Sequence, residues 1–438
     1  MRSGQVLKYV RIEYKKPLQG SVIAPASKSY TQRALIASSL AYGESEIENP
    51  SLSDDSIVMK NALKLYGVNL LEEDNKWVVE GGEIDAPNDI VWCGLSGATI
   101  RFLTAFSAQT KGGYSVLTGD EGLRRRPLAP LLNAINALGG WAVSARGNGK
   151  PPVIVRGGRL KGGKVEISGK LSSQFVSALL LSSPVSKEDT LIEVEDLVSK
   201  PYVDMTIATM SHFNARVGKR GYEEFHVKAL GYSPSKFKVP GDYSSASFLL
   251  VGALLTEGDV TIKGLNPSLP QADSKIVEII REVGGKVIER EDEIRVLGTK
   301  DITGGKFDLS NSPDLLPVVA VIGLKSKAPV EITGVAHTRI KESDRITAIS
   351  SELKKLGAKV EEKEDGLIVH PIKEAKECVL RGWGDHRIVM ALTIACLSLN
   401  AKCLISDPES ISKSYPSFFD DLSQLGAEIR WVGSGDRA

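Results

Sequence analysis

Apolar and polar positions along this chain fall into a pattern that returns six times. Apolar runs such as "RALIASSLAYG" (33–43) and "SFLLVGALLTEG" (247–258) predict apolar helices. Other runs alternate at helical spacing and stop abruptly. Such stops occur at Leu65-Tyr66-Gly67, Ala137-Leu138-Gly139, Glu282-Val283-Gly284, Lys355-Leu356-Gly357 and Gln424-Leu425-Gly426. A sixth, His212-Phe213-Asn214, has Asn in the glycine place. Gly and Asn accept the left-handed conformation that closes a helix. The stops lie roughly 70 residues apart, a period long enough for a small subdomain.

What surrounds each stop repeats as well. "KVIEREDEIRVLG" and "KVEEKEDGLIVHP" read as strand, charged turn, strand. Six β-type runs ("EIENP", "YSVLTG", "TLIEVE", "VTIKGL", "VEITGV", "CLISDP") each follow an apolar helix and lead through a loop into the helix that stops. The unit is loop, apolar helix, strand, loop, amphipathic helix, strand, strand. The sixth copy ends after "AEIRWVG", short of its last strand, whereas "YVRIEYKK" near residue 10 is a strand without a unit. The N-terminal strand is therefore expected to complete the last unit. Six units then divide three and three, into one domain over 22–241 and another formed by 1–21 and 242–438.

Composition narrows the class. A chain of 438 residues exceeds what one core usually serves. Lys and Arg total 55 against 54 Asp and Glu, so a net charge of +1 gives no global field for nucleic acid or an anionic membrane. Cys93, Cys378, Cys396 and Cys403 show neither C-x-x-C nor zinc spacing and read as reduced, mostly buried thiols. No apolar stretch has the length of a membrane span, and the N-terminus lacks a signal-peptide run. A cytoplasmic protein is expected.

The candidate chemistry is local. The apolar helices begin at "PASKSYTQR" (25–33), "CGLSGATIR" (93–101), "GKLSSQF" (169–175), "PGDYSSAS" (240–247), "SNSPDLL" (310–316) and "GWGDHR" (382–387). The second loops include "GLRRRP" (122–127), "LVSKPY" (197–202), "AHTRIKESDR" (336–345) and "ISKSYP" (411–416). A helix N-terminus carries partial positive charge and free N–H groups, so a cation placed there is out of place unless an anion binds. Any single Ser or Asp in such a loop reads as a helix cap. Repeated placement of Lys and Arg instead suggests a polyanion site walled by Lys28, Ser29 and Arg33. His337 and His386 share these loops, while His212, His226 and His370 fall in helix or strand contexts. Asp314, in "SPDLLPVVAV", and Glu342, flanked by Lys341, Asp344 and Arg345, are carboxyls in unlike settings that could divide acid and base work.

These segments carry a resemblance. The chain resembles the 5-enolpyruvylshikimate-3-phosphate (EPSP) synthase family over its whole length. P-x-S-K-S-x-x-x-R is present at Pro25–Arg33, and the region around G-N-x-G-T-x-x-R corresponds to Gly94–Arg101. R-P follows at Arg126-Pro127, S-S-Q at Ser172–Gln174, S-K-P-Y at Ser199–Tyr202 and G-D-x-S-S-A at Gly241–Ala246. The second half adds Pro313-Asp314, R-x-K-E-S-D-R at Arg339–Arg345, D-H-R at Asp385–Arg387 and K-S-Y-P at Lys413–Pro416. The resemblance implies an α/β fold of two similar globular domains, each of three βαβαββ units, with a ligand cleft between them.

The implied reaction transfers the enolpyruvyl group of phosphoenolpyruvate to the 5-hydroxyl of shikimate 3-phosphate by addition and elimination, releasing phosphate. Matched position by position, Lys28, Ser29, Arg33, Ser172, Ser173, Gln174, Ser199, Tyr202, Asp314, His337 and Lys341 would hold shikimate 3-phosphate. Lys28, Gly97, Arg126, Gln174, Arg345, Arg387 and Lys413 would hold phosphoenolpyruvate. Asp314 would act as base, Glu342 as acid, and Lys28 would stabilise charge at the intermediate. No metal or organic cofactor is implied, and the partners are the two small-molecule substrates of a monomer. Leu95 stands where the family usually has Asn, and Ala98 where it usually has Thr. The related transferase acting on UDP-N-acetylglucosamine usually has a Cys in the loop equivalent to 111–126, where none occurs here. A non-catalytic anion-binding scaffold would want aromatics for stacking, and these are only 6% of residues.

Overall fold

The structure, a computed structural model, describes residues 9–433. These contain six four-stranded sheets, all wired alike. In the second sheet, Val91–Trp92 runs parallel to Tyr114–Thr118, which pairs antiparallel with Val153–Arg156, itself paired with Trp141–Ser144. Between these strands run the apolar helix Gly97–Ser107 and the helix Ala129–Ala137, giving βαβαββ. All six expected stops adopt positive φ, from 61° at Asn214 to 105° at Gly426. Asn at the third stop thus does the work that Gly does at the other five.

The apolar helices form the interior of each domain. Every residue of Tyr243–Leu255 is buried, as are all but the first two of Lys28–Leu40. A helix enclosed on all sides needs no polar face. Its Ser and Thr hydroxyls must then be satisfied locally. Ser39 Oγ donates to Leu35 O at 2.7 Å, Thr104 Oγ1 to Ile100 O at 2.6 Å and Thr393 Oγ1 to Val389 O at 2.9 Å. The second helices are one-sided: Lys275–Glu282 buries Ile276, Val277, Ile279 and Ile280 and exposes its charges.

The chain divides into two compact units, residues 26–240 with 269–271, and residues 1–25, 241–268 and 272–438. Each has its own apolar core. The N-terminal strand Tyr9–Glu13 lies between Leu404–Ser406 and Glu428–Val432, antiparallel to both, and completes the last sheet. The first crossing falls later than the repeat count places it. Val22 and Ile23 lie in the strand Gln19–Ile23, which pairs with Asp259–Lys263 and so belongs with the second unit. That strand was hidden because its only two apolar residues, Val22 and Ile23, are adjacent and show no alternation. Its counterpart Lys236–Lys238 pairs with Glu46–Glu48 and closes the first sheet from the far end of that domain.

Candidate active site

Three interior helices, all in the first domain, begin with neither an acidic cap nor an acid in the first turn: Lys28–Leu40, Gly97–Ser107 and Ser173–Ser182. In the second domain Tyr243–Leu255 and His386–Leu399 are instead capped by Asp242 and Asp385. Outer helices carry acids in the first turn: Asp54 and Asp55, Asp204, and Asp420 and Asp421. The positive ends of those three first-domain helices are thus suited to an anion. Ser27, Ser96 and Ser172 cap their helices through side-chain acceptors, so the capping expectation holds beside the anion reading.

In the first domain these helix starts are tied together. Gln32 Nε2 donates to Ser96 Oγ at 3.3 Å and to Thr99 Oγ1 at 3.1 Å. Arg101 Nη1 donates to Gln174 Oε1 at 2.5 Å. Lys28 Nζ lies 3.0 Å from Asp55 Oδ2, which holds the ammonium at the end of its helix. Gly97 is where two guanidinium groups meet: a methyl there would stand 2.8 Å from Arg126 Nη1 and 3.0 Å from Arg101 Nη1. Both arginines are buried. Like charges gathered at a positive helix end are suited to an anionic guest. Leu95 packs towards the following segment, since a methyl on Gly122 would lie 2.9 Å from its Cδ2, and Ala98 rests against the core.

Arg33 is placed differently from Lys28. It is buried, and its Nε, Nη1 and Nη2 donate to Thr206 Oγ1 at 2.7 Å, Ser29 O at 2.9 Å and Tyr202 O at 3.1 Å. Burial draws its pKa down to about 10. It fastens the main chain of Ser29 to that of Tyr202, two other expected site residues. Ser199 adopts φ 54°, and its carbonyl accepts from Tyr202 N at 3.1 Å. Ser172 and Ser173 are buried at their helix start.

The second domain gathers the carboxyls around one arginine. Arg345 Nη1 is 2.7 Å from Asp314 Oδ1, Nη2 is 2.6 Å from Glu342 Oε2, and Nε is 2.8 Å from Asp385 Oδ2. Arg387 Nη2 adds a contact of 3.0 Å to Asp314 Oδ2. Asp314 therefore bridges two guanidinium groups, and Arg345 holds Asp314 and Glu342 on separate nitrogens. Burial alone would raise the Asp314 pKa, but Arg387, Arg345 and Lys341 together hold it well below the carboxylate range. The same acids, Asp385 foremost, hold Arg345 protonated against its burial. Burial and then Lys341 lower the His337 pKa to about 4, against the pull of Asp314. Lys413 Nζ donates to Gly384 O at 2.5 Å, reaching the loop that carries Asp385 and Arg387.

Three acids join this picture that sequence reasoning left out. Asp55 stands in the first turn of the outer helix Asp54–Leu65 and Asp273 in the turn before Lys275–Glu282, where the repeat position was the available signal. Asp273 is buried, accepts from Ser244 Oγ, and is pushed up to about 7 by burial and by Asp314, with Arg387 opposing. Asp385 caps its helix by accepting from Arg387 N at 3.0 Å and also accepts from Ser343 Oγ at 3.0 Å. His386 is buried at the same helix start. Of the other histidines, His212 contacts Lys236 O at 2.8 Å and His370 contacts Glu361 at 2.8 Å.

The fold has counterparts among solved structures. EPSP synthase from Acinetobacter baumannii matches with a TM-score of 0.82 at 23% identity, covering 97% of this chain and 100% of that one. The enolpyruvyl transferase NikO from Streptomyces tendae matches with a TM-score of 0.78 at 18% identity, covering 98% and 100%. Six repeated units in two domains, with anion-ready helix starts, thus define the enolpyruvyl transferase fold.

Sequence narrows the class further. The family model for EPSP synthase (3-phosphoshikimate 1-carboxyvinyltransferase) matches residues 12–422. The 3-phosphoshikimate 1-carboxyvinyltransferase of Korarchaeum cryptofilum is 42% identical over 94% of this chain and 97% of its own. That of Methanocaldococcus jannaschii is 39% identical over 94% and 97%. The chain belongs to the EPSP synthase family and is an enzyme of enolpyruvyl transfer in the shikimate pathway. Neither the UDP-N-acetylglucosamine reading nor the non-catalytic scaffold is favoured by these matches.

Proposed function

We propose that this chain moves the enolpyruvyl group of phosphoenolpyruvate onto the 5-hydroxyl of shikimate 3-phosphate, with Asp314 as base and Glu342 as acid. The observation that carries this assignment is the shared guanidinium of Arg345, which holds both carboxyls while Arg387 holds Asp314 from its other oxygen. The 5-hydroxyl oxygen adds to C2 of phosphoenolpyruvate, its proton passing to Asp314. Glu342 gives a proton to the methylene carbon, which becomes a methyl group. Elimination then returns a proton from that methyl while the C–O bond to phosphate breaks, leaving the enol ether and free phosphate.

Asp314 held far below its ordinary pKa is ionised but a weak base. Anionic substrates change that. Phosphate and carboxylate groups that engage Arg345 and Arg387 spread the arginine charge over more acceptors and loosen its hold on Asp314, whose basicity then rises. Lys28, Ser29, Ser172, Ser173, Gln174, Ser199, Tyr202, His337 and Lys341 contact shikimate 3-phosphate in this reading, and Arg33 fixes the main chain of two of them. Lys28, Gly97, Arg126, Gln174, Arg345, Arg387 and Lys413 contact phosphoenolpyruvate, and Lys28 also stabilises the tetrahedral intermediate. The enzyme acts as a monomer in the cytoplasm; among the described residues no helix is long and apolar enough to cross a membrane.

The test is phosphate release from phosphoenolpyruvate, with and without shikimate 3-phosphate, in the wild type and in Asp314→Asn and Glu342→Gln. Release should require both substrates, and each variant should lose about 10²–10⁴-fold in kcat. A Glu342→Gln enzyme within a few-fold of wild type would remove Glu342 as the acid. Light scattering on the same preparation checks the monomer.

A further inference from the structure

Three of the four cysteines converge at the root of the last sheet, although nothing in their spacing along the chain brings them together. Val379 pairs with Leu404 in parallel register, and Leu404 N donates to Cys378 O at 3.2 Å. One step back in that register, Cys378 stands beside Cys403. Neighbouring strands lie about 4.8 Å apart, inside the roughly 4.4–6.8 Å range of Cα separations that disulfides span. Side chains paired in register share a face, and the two Sγ atoms are 3.6 Å apart. Cys396 reaches Cys403 from the helix His386–Leu399 rather than from a neighbouring strand.

The two sulfurs differ in setting. Cys403 is buried, while Cys378 is half-buried immediately before the outermost strand of its sheet, Val379–Leu380. Hydrogen bonds with Cys396 and Cys378 draw the Cys403 pKa down to about 6, against its burial. Burial, and then Cys403, raise Cys378 to about 12. Lowering the first ionisation of the cluster favours a thiolate, the form that reacts with oxidants.

We propose that Cys378 and Cys403 form an oxidation site, a dithiol at the foot of two adjacent strands that a peroxide converts to a disulfide. One sulfur takes an oxygen from the peroxide, becoming a sulfenic acid as the O–O bond breaks and the first water leaves. The second sulfur attacks it, the S–O bond breaks and a second water leaves. Two thiols have then lost two protons and two electrons to one peroxide. The product staples the strand leading to Arg387 to the strand leading to Lys413.

The experiment treats the full-length protein with a small excess of hydrogen peroxide and maps its peptides without reduction. The expected result is a mass lower by two hydrogens, one linked peptide pair joining Cys378 to Cys403, and full reversal by dithiothreitol. Cys396→Ser should still cross-link at wild-type yield, whereas Cys378→Ser and Cys403→Ser should each lose the linked pair. A link through Cys396 or Cys93, a link between molecules, oxygen uptake without a link, or an unchanged mass would each overturn the proposal. Should a serine variant fail to fold, the wild-type peptide map decides alone.

Discussion

Arg345 is the residue on which the second domain's chemistry turns. It is buried and meets three carboxyls, so its charge offsets groups that could not otherwise sit together. Replacing it with Met should leave Asp314, Glu342 and Asp385 undercompensated, lowering stability by about 3–5 kcal/mol in urea unfolding. Activity should fall with it. A variant of wild-type stability would show that the carboxyls find other partners. His337 supplies a pH signature. Its pKa is lowered from the ordinary 6.5 to about 4, so between those values the unfolded chain binds the extra proton. Stability from this group is full above pH 6.5 and is lost as pH falls towards 4. His337→Gln should flatten the stability slope over that window by on the order of 2 kcal/mol. An unchanged slope would assign the acid sensitivity elsewhere. Asp314 and Glu342 were legible in the sequence as carboxyls in unlike settings, but not that one arginine would hold both. Contacts between residues far apart in sequence leave no mark on local pattern, and Asp385 and Asp273 were missed for the same reason.

At the scale of elements, the helix start at Gly97 joins local conformation to binding. A methyl there meets only the ends of the Arg126 and Arg101 side chains, which can move, so the backbone should tolerate it. Gly97→Ala should melt within about 2 °C of wild type, because no core volume changes. It should nevertheless raise KM for phosphoenolpyruvate at least about tenfold, the loss of one charge-assisted contact, with little change in KM for shikimate 3-phosphate. Equal effects on both would move Gly97 out of the phosphoenolpyruvate pocket. The stops and long helices were readable because each carries a period or a left-handed residue. Several strands opening units were not: Val91–Trp92 and Val379–Leu380 span two residues, and Gln19–Ile23 has two adjacent apolar residues, too little to show alternation. Missing them hid the exchange of Gln19–Ile23 and Lys236–Lys238, and so the position of the first crossing.

For the whole molecule, the decisive feature is that one domain is nearly continuous in sequence and the other is not. Residues 26–240 contain all three sheets of the first domain, including the strand Lys236–Lys238 that closes the first of them. Its core runs from Tyr30 to Val239. The second domain needs both ends of the chain, since Tyr9–Glu13 is an inner strand of its last sheet. Removing residues 1–14 would open two strand edges beside the unit that carries Arg387 and Lys413, and should abolish activity. A fragment of residues 26–240 should behave differently. It keeps its core and every sheet partner, so it should unfold in one cooperative urea transition. It also keeps Lys28, Ser172, Gln174 and Tyr202, and should bind shikimate 3-phosphate in calorimetry about 10–100-fold more weakly than the full chain, having lost Asp314, His337 and Lys341. It should release no phosphate, because both proposed proton-transfer carboxyls are absent. A fragment that folds but does not bind would place shikimate 3-phosphate chiefly on the second domain. Phosphate release from it would overturn the roles given to Asp314 and Glu342.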